Sequence, residues 1–387
     1  MDPIDNLPSV SNAEKKRSDL VKTLVIDTIR TSIGAVISFD EYMRIALYAP
    51  SLGYYDSGGE IFGSQGDFVT APSDGELFGK CVANECKQIL RETGGNVFEY
   101  GAGSGHLIGT VCGQLNIDSD FPPWEYHVIE PSRALRERQK EQNQGLSHNV
   151  IWHEKTPDLA MNGVVIANEV LDAMPAARYV VDEGRVVELG VGYEEPDLVW
   201  KTKEGKIPQK IVSIIKSYNS GYQTERILAL DLWLQSIYEI SEVLVILISD
   251  YGYAEQEFFR PDRQFGTLKC HRRHIANAQP FLFPGLQDIT TSVDFTHLAE
   301  SATGVGFSIL GFTTQERFLA CNGIDKFFSE SSKNDSVAQY NLAQEAKRLL
   351  LPTEMGHYVK VMALGKNFDG ILAGFESDDR FRLHSVY

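Results

Sequence analysis

Short apolar runs recur between residues 96 and 167, and the segments between them carry apolar residues at three- and four-residue spacing. Asn96-Val-Phe-Glu-Tyr100, Tyr126-His-Val-Ile129, Asn149-Val-Ile-Trp152 and Gly163-Val-Val-Ile-Ala167 read as strands. His106 to Leu115 reads as a helix with Leu107, Ile108, Val111 and Leu115 on one face, and Ser132 as the cap of a charged helix that stops near Gly145. This alternation predicts an α/β fold with a mostly parallel sheet, because parallel neighbours need a crossover between them. Leu244 to Ser249 predicts a further buried strand, and His357 to Leu364 a last one.

Outside this region the pattern changes. Leu20, Leu24, Ile26 and Ile29 predict a helix over 19–33, and Ser38-Phe-Asp-Glu41 a capping box that opens a second helix through Leu47. From Gly53 to Pro72 there is no period but many Gly, Ser, Asp and aromatic residues, which predicts a long ordered loop of the kind that covers a site. A helix follows from Gly75 to Arg91. Arg178 to Val181 and Arg185 to Val187, with Asp182-Glu183-Gly184 between them, predict a hairpin-like side arm. Residues 211–240 read as mostly helical and 251–284 as irregular. The predicted organisation is an N-terminal segment of helices and covering loop over 1–75. A main domain over 76–387 follows, with insertions near 178–240 and 251–320.

Charge narrows the partners. Thirty-six basic residues against 53 acidic ones leave a formal charge of -17, whose field repels phosphate backbones and anionic headgroups. No nucleic acid and no membrane is expected; a small molecule and a protein are. The longest apolar run, Val243 to Ile248, is far short of the roughly 20 residues that span a bilayer. Five scattered cysteines predict reduced thiols, and the Cys270-His-Arg-Arg-His274 cluster lacks the second ligand pair of a metal site. The first 20 residues mix acids and bases without the marks of a leader, so the expected location is a bacterial cytoplasm. The composition carries no signal for oligomeric state.

A parallel α/β sheet binds its ligand beyond the carboxyl ends of its strands. There stand Gly101, Ala102, Gly103 and Gly105, with Glu130 closing the next strand 25 residues after Gly105, placed to accept hydrogen bonds from a ribose. In a dinucleotide turn the last glycine would occupy position 106, which is His106 here. Glu99 stands two residues before the turn, where a carboxylate repels pyrophosphate and attracts the cationic amino end of S-adenosylmethionine. S-adenosyl-L-methionine is therefore the expected cofactor, and a nicotinamide-dependent dehydrogenase the lesser alternative. No phosphate-loop or hydrolase-elbow pattern is present.

The runs Val97 to Leu107, Val128-Ile-Glu-Pro-Ser132 and Ile166 to Pro175 resemble a family of class I methyltransferases. That family includes the mitochondrial complex I assembly-factor protein arginine methyltransferase and its bacterial homologues. Gly53-Tyr-Tyr55, Gly66 to Pro72, Ser249-Asp-Tyr-Gly252, Gly266 to His271, Gln287-Asp-Ile-Thr290, Val293-Asp-Phe295 and Gly311 to Gln315 extend the resemblance through most of the chain. It implies a Rossmann-like sheet with helices on both faces and methylation of a protein arginine. Carboxylates are the natural means of orienting a charged guanidinium and taking its proton, so Asn168, Glu169 and Asp172 are the candidate catalytic residues, with Asn168 also against the cofactor. The Gly66-Asp-Phe68 loop resembles the family segment that closes over the cofactor, with Asp67 and Phe68 as candidate contacts; His271, Gln287 and Asp288 are candidate contacts in the acceptor cleft, the alternatives being an exposed basic turn for the first and a structural turn for the other two. There are departures from the family: its Thr-Ser-Pro-Glu is Thr70-Ala-Pro-Ser73 here, and the His expected before Val293 is Ser292. These departures keep open a second reading, a cofactor-binding assembly chaperone with little transferase activity.

Overall fold

The computed structural model describes residues 8–58, 75–117, 123–146, 150–331 and 336–383. Its contacts divide the chain into two compact units, one of residues 69–171, 230–254 and 295–387, the other of 1–68, 172–229 and 255–294.

The first unit is built on a sheet of β1 (Asn96–Tyr100), β2 (Tyr126–Ile129), β3 (Val150–His153), β4 (Gly163–Asn168), β5 (Leu244–Tyr253), β6 (Ser308–Thr314) and β7 (Val359–Lys366). Their order across the sheet is β3-β2-β1-β4-β5-β7-β6. The pairs from β3 through β5 are parallel, and β7 runs antiparallel to both β5 and β6. The strands of the parallel part are apolar because they are covered: Leu244 to Ile248 are all buried, as are Val97 and Phe98 and the whole of β2. The amphipathic helices Leu77–Thr93 and His106–Leu115 supply one cover, packing Cys81, Ile89, Leu107, Ile108 and Val111 into a cluster with Val97, Val128 and Val245. The strand order reverses between β1 and β4. A crevice opens at such a point because the crossovers leave in opposite directions.

In the second unit, Ile37–Ser38, Arg185–Glu194, Ala176–Asp182 and Gln223–Ile227 form an antiparallel sheet in that order, with Asp197–Lys203 also paired to Arg185–Glu194. A smaller sheet joins Ile275–Asn277, Lys269–Arg272 and Asp288–Thr290. The interior of this unit holds a buried ion pair, Arg178 Nε to Glu225 Oε1 at 3.3 Å. The Arg178 guanidinium lies 4.8 Å from the Trp200 ring centroid.

Several expectations are corrected. The first helix runs Asn12–Thr31, seven residues earlier than its apolar pattern suggested, and its buried stripe is Val21, Val25 and Ile29 while Leu20 and Leu24 are exposed. Its start is set by a capping box between Ser11 and Glu14. Ser38 does stand at the N-cap of Phe39–Tyr48, but its side chain makes no capping bond there. Within 211–240 the strand Gln223–Ile227 separates the helices Gln209–Ile215 and Leu230–Glu239. That strand has little apolar alternation because one of its buried residues is Glu225, tolerated inside by its partner Arg178. The segment 251–284 carries two short strands. The N-terminal segment groups with the 172–229 and 255–294 segments, and Ile37–Ser38 is an edge of their sheet. Among the described residues no helix is long and apolar enough to cross a membrane.

Candidate active site

The turn after β1 has the backbone that glycine permits and other residues resist: φ is 60° at Gly101, 51° at Gly103 and 82° at Gly105. Space is restricted as well. A Cβ on Gly101 would lie 3.2 Å from Val170 Cγ2, and one on Gly105 would lie 3.0 Å from Asn143 Nδ2. The turn is stitched to the sheet by Gly101 N–H donating to Ile129 O (3.0 Å) and closed by Gly105 N–H donating to Ala102 O (2.7 Å).

Glu130, buried at the end of β2, accepts from Ser132 N–H at 3.0 Å on Oε1 and from Gln139 Nε2 at 3.2 Å on Oε2. Gln139 and Asn143 stand one helical turn apart and were not singled out from the sequence. Gln139 Nε2 also donates to Gly103 O (3.0 Å), and Asn143 Nδ2 to Gly105 O (3.0 Å). Glu99 is buried beneath the turn and accepts from the Tyr126 hydroxyl at 2.8 Å. Burial, helped by the charge of Glu130 and opposed by the Tyr126 bond, pushes its carboxyl up from 4.5 to about 8.

At the end of β4, where its parallel pairing with β5 stops, the register sets Asn168 opposite Ser249. Asn168 Oδ1 and Ser249 Oγ are both buried without a hydrogen-bond partner, an expensive state for polar atoms on adjacent strands. Glu169 follows with φ at 51°, a left-handed conformation that a non-glycine residue adopts under constraint. The constraint is visible. Glu169 N–H donates to Ser249 O at 2.8 Å, and Leu171 N–H donates to the buried Asp250 Oδ2 at 2.8 Å, so β5 holds the loop after β4 by two bonds. Ser249 and Asp250 also escaped the residue-level reading, although the Ser249-Asp-Tyr-Gly252 run was noticed.

A glycine turn at the strand-order reversal, an acid after β2 and orphaned polar atoms where β4 and β5 stop pairing stand at the carboxyl side of the parallel strands, and comparisons with known proteins say what family such a site belongs to. Residues 77–313 match the model of a family described as S-adenosyl-L-methionine-dependent methyltransferases. This chain belongs to that family. A Burkholderia thailandensis protein whose crystal structure holds S-adenosyl-homocysteine is similar over 97% of this chain and 99% of its own, at 33% identity and a TM-score of 0.90. The mitochondrial protein arginine methyltransferase NDUFAF7 homolog of Drosophila melanogaster is 24% identical over 96% of this chain and 90% of that protein. Its Danio rerio counterpart is 27% identical over 83% and 81%. Membership carries the fold class, the activity and the cofactor, and it removes the dehydrogenase alternative.

The methyltransferase's own residues fit S-adenosyl-L-methionine: the left-handed turn leaves little room for a β-carbon at Gly101 or Gly105, and Glu130 is a buried carboxylate held at the end of the neighbouring strand. Asn168 and Glu169 therefore gather with the cofactor candidates Glu99, Gly101, Ala102, Gly103, Gly105 and Glu130 in one unit. Asp67 and Phe68 lie outside the described residues, as does Ser73.

The remaining candidates sit in the other unit. Asp172 is buried, and its backbone carbonyl accepts from Thr291 N–H at 2.9 Å. Asp288 is buried and accepts from the Tyr55 hydroxyl at 2.7 Å, while Tyr55 stacks on Tyr48 at 5.4 Å. Burial and then the charge of Asp288 hold the Tyr55 phenol far above its ordinary value. His271 faces Asp288 across the small sheet, its imidazole pushed toward the neutral form by burial and by Lys269. Gln287 is spent on the fold: Oε1 accepts from Asn277 Nδ2 (3.1 Å) and Nε2 donates to Gln279 O (2.7 Å). Ser292 N–H donates to Thr267 Oγ1 (3.0 Å), so its backbone supports the Glu225 network. Of the basic cluster, Cys270 and Arg272 point inward, Arg272 bonding Glu14, and Arg273 and His274 form the hairpin turn with φ of 47° and 63°.

Proposed function

We propose that this methyltransferase modifies an arginine side chain of a protein, with the acceptor nitrogen received by Asn168, Ser249 and Glu169. The observation that carries the reading is the pair of buried, unpartnered oxygens, Asn168 Oδ1 and Ser249 Oγ, beside the left-handed Glu169. Amide and hydroxyl oxygens accept hydrogen bonds, and a guanidinium is a planar group of five donors that repays the cost of leaving such oxygens bare. The names of the Drosophila and Danio relatives, protein arginine methyltransferases, support the same acceptor.

Bound S-adenosyl-L-methionine supplies an electrophilic methyl on a sulfonium. The chain's residues do the rest. Gly101, Ala102, Gly103 and Gly105 would let the backbone approach the cofactor, Glu130 would take the ribose hydroxyls, and Glu99, held neutral by burial, would give up its proton to meet the cationic amino end. Asn168 and Ser249 orient one acceptor nitrogen in line with the methyl, and alignment is the main contribution a protein makes to such a displacement. With the methyl donor bound, the acceptor nitrogen would gain the methyl as the sulfonium becomes a neutral thioether, and Glu169 would take the proton that the nitrogen loses. In the other unit Asp172, His271 and Asp288 are the proposed contacts to the protein substrate. Gln287 serves there through the loop it holds. A cytoplasmic location is part of the same proposal, and fractionation of expressing cells tests it.

Incubation with methyl-labelled cofactor and a lysate, followed by acid hydrolysis, tests the acceptor. Label in methylarginine is the expected result. Label confined to lysine, to a carboxyl or to small molecules overturns the acceptor. Tight cofactor binding with no labelled product would leave the chaperone reading in its place.

A further inference from the structure

We propose that Gln139 is a positioning residue that sets the geometry of the cofactor cradle by holding the glycine turn and Glu130 with one amide. The inference rests on reading Gly101–Gly105 and Glu130 as cofactor contacts. Gln139 is fully buried. A primary amide has two N–H hydrogens and one carbonyl, and here each has a partner: Nε2 donates to Gly103 O at 3.0 Å and to Glu130 Oε2 at 3.2 Å, and Oε1 accepts from Trp152 Nε1 at 3.2 Å.

The orientation has no alternative. An indole nitrogen only donates, so it must meet the amide oxygen, and the two acceptors on the other side must meet the NH2. Flipping the amide would oppose a carbonyl to two oxygens. Trp152, on β3, thus fixes which way Gln139 points.

Two consequences follow for the cradle. The first concerns the turn. In a trans peptide the C=O of one residue and the N–H of the next point in opposite directions. With Gly103 O held by Gln139 and Gly105 O held by Asn143, the N–H groups of Ser104 and His106 are aimed away from the Arg133–Gln142 helix. His106 begins a helix, so its N–H adds to the positive end of that helix. The second concerns Glu130. Ser132 N–H on Oε1 and Gln139 Nε2 on Oε2 fix the plane of the carboxylate, presenting it to a vicinal diol in one orientation. Gln139 couples the two elements, so the turn and the acid move together or not at all.

Calorimetry of the full chain with S-adenosylhomocysteine tests this, comparing wild type with Gln139→Met, Gln139→Glu and Trp152→Phe. Gln139→Met keeps length and loses both donors, and the expected loss of affinity is about tenfold or more, one charge-assisted bond being worth about that factor. Trp152→Phe, which touches neither Gly103 nor Glu130, is expected to weaken binding by a smaller factor. Gln139→Glu sets a second carboxylate beside Glu130, and its deficit relative to wild type is expected to shrink as pH falls from about 8 to about 5, where the new side chain regains a proton and a donor. A purely structural role gives no such acid rescue. Wild-type affinity in Gln139→Met, or a Gln139→Glu deficit independent of pH, overturns the inference while the cofactor reading stands. If Gln139→Met does not fold, the pH profile of Gln139→Glu and the Trp152→Phe affinity decide the matter. No heat from the wild type itself overturns the cofactor reading and this inference with it.

Discussion

Glu99 ties stability, pH and cofactor binding to one buried carboxyl. In the folded chain it titrates at about 8, mainly because burial disfavours the anion, whereas the unfolded side chain titrates near 4.5. Below the lower value both states hold the proton and pH has no effect through this group. Between the two values the folded chain keeps a proton that the unfolded chain has released, so stability falls as pH rises and levels off once pH exceeds the folded value. At about 1.4 kcal/mol for each pH unit, the span corresponds to roughly 5 kcal/mol at high pH and about 3 kcal/mol at pH 7. Glu99→Gln keeps an acceptor for Tyr126 and cannot ionise. Thermal melts of the two proteins are therefore expected to converge near pH 5 and diverge progressively toward pH 9, with the variant the more stable. The cofactor adds a second readout. A cationic amino group brought beside Glu99 stabilises the anion, so binding near pH 7 is expected to release up to about 0.9 proton per site, the fraction that a group titrating at about 8 still holds there. Calorimetry in two buffers of different ionisation enthalpy measures that number, and Glu99→Gln is expected to abolish it. Parallel melting curves would refute the buried neutral acid; proton release unchanged in the variant would refute its contact with the cofactor.

Other substitutions separate function from stability. Ser249→Ala removes an oxygen that has no partner, so urea denaturation is expected to show equal or greater stability, by as much as about 1–3 kcal/mol, while methyl transfer falls; a clear loss of stability would mean the hydroxyl is satisfied in the fold. Gly103→Val forces a β-branched side chain into a left-handed conformation, at a cost of at least about 1–2 kcal/mol, and is expected to abolish binding of S-adenosylhomocysteine in a folded protein. Unchanged affinity there would place the cofactor elsewhere. Glu225→Ala leaves Arg178 buried without its counter-charge and is expected to cost about 3–5 kcal/mol in denaturant melts; a change within about 0.5 kcal/mol would show that water reaches the pair.

The parallel half of the main sheet was legible because its central strands are buried and so appear as short, largely apolar runs between helical segments. Asn96–Tyr100, Tyr126–Ile129 and Gly163–Asn168 were located to within a residue, and the helix His106–Leu115 at both ends. The glycine turn was legible for a related reason: left-handed φ values leave few residue types to choose from, so conformation is written in composition. The lobe was harder to read. Gln223–Ile227 buries Glu225, which is favourable only because Arg178 arrives from another strand, and a window along the chain cannot see that partner.

The division at the site itself follows the same line. From local sequence alone one could place a bare-backbone bend after one strand and an acid after the next, since both depend on residue type and on short-range geometry. Tertiary structure alone decided that Glu169 would be strained, that the side-chain oxygens of the register partners Asn168 and Ser249 would be buried without partners, and that Gln139 would tie bend to acid. Each of these depends on which strands lie side by side, and hydrogen bonds between groups far apart in the chain leave no periodic trace in it.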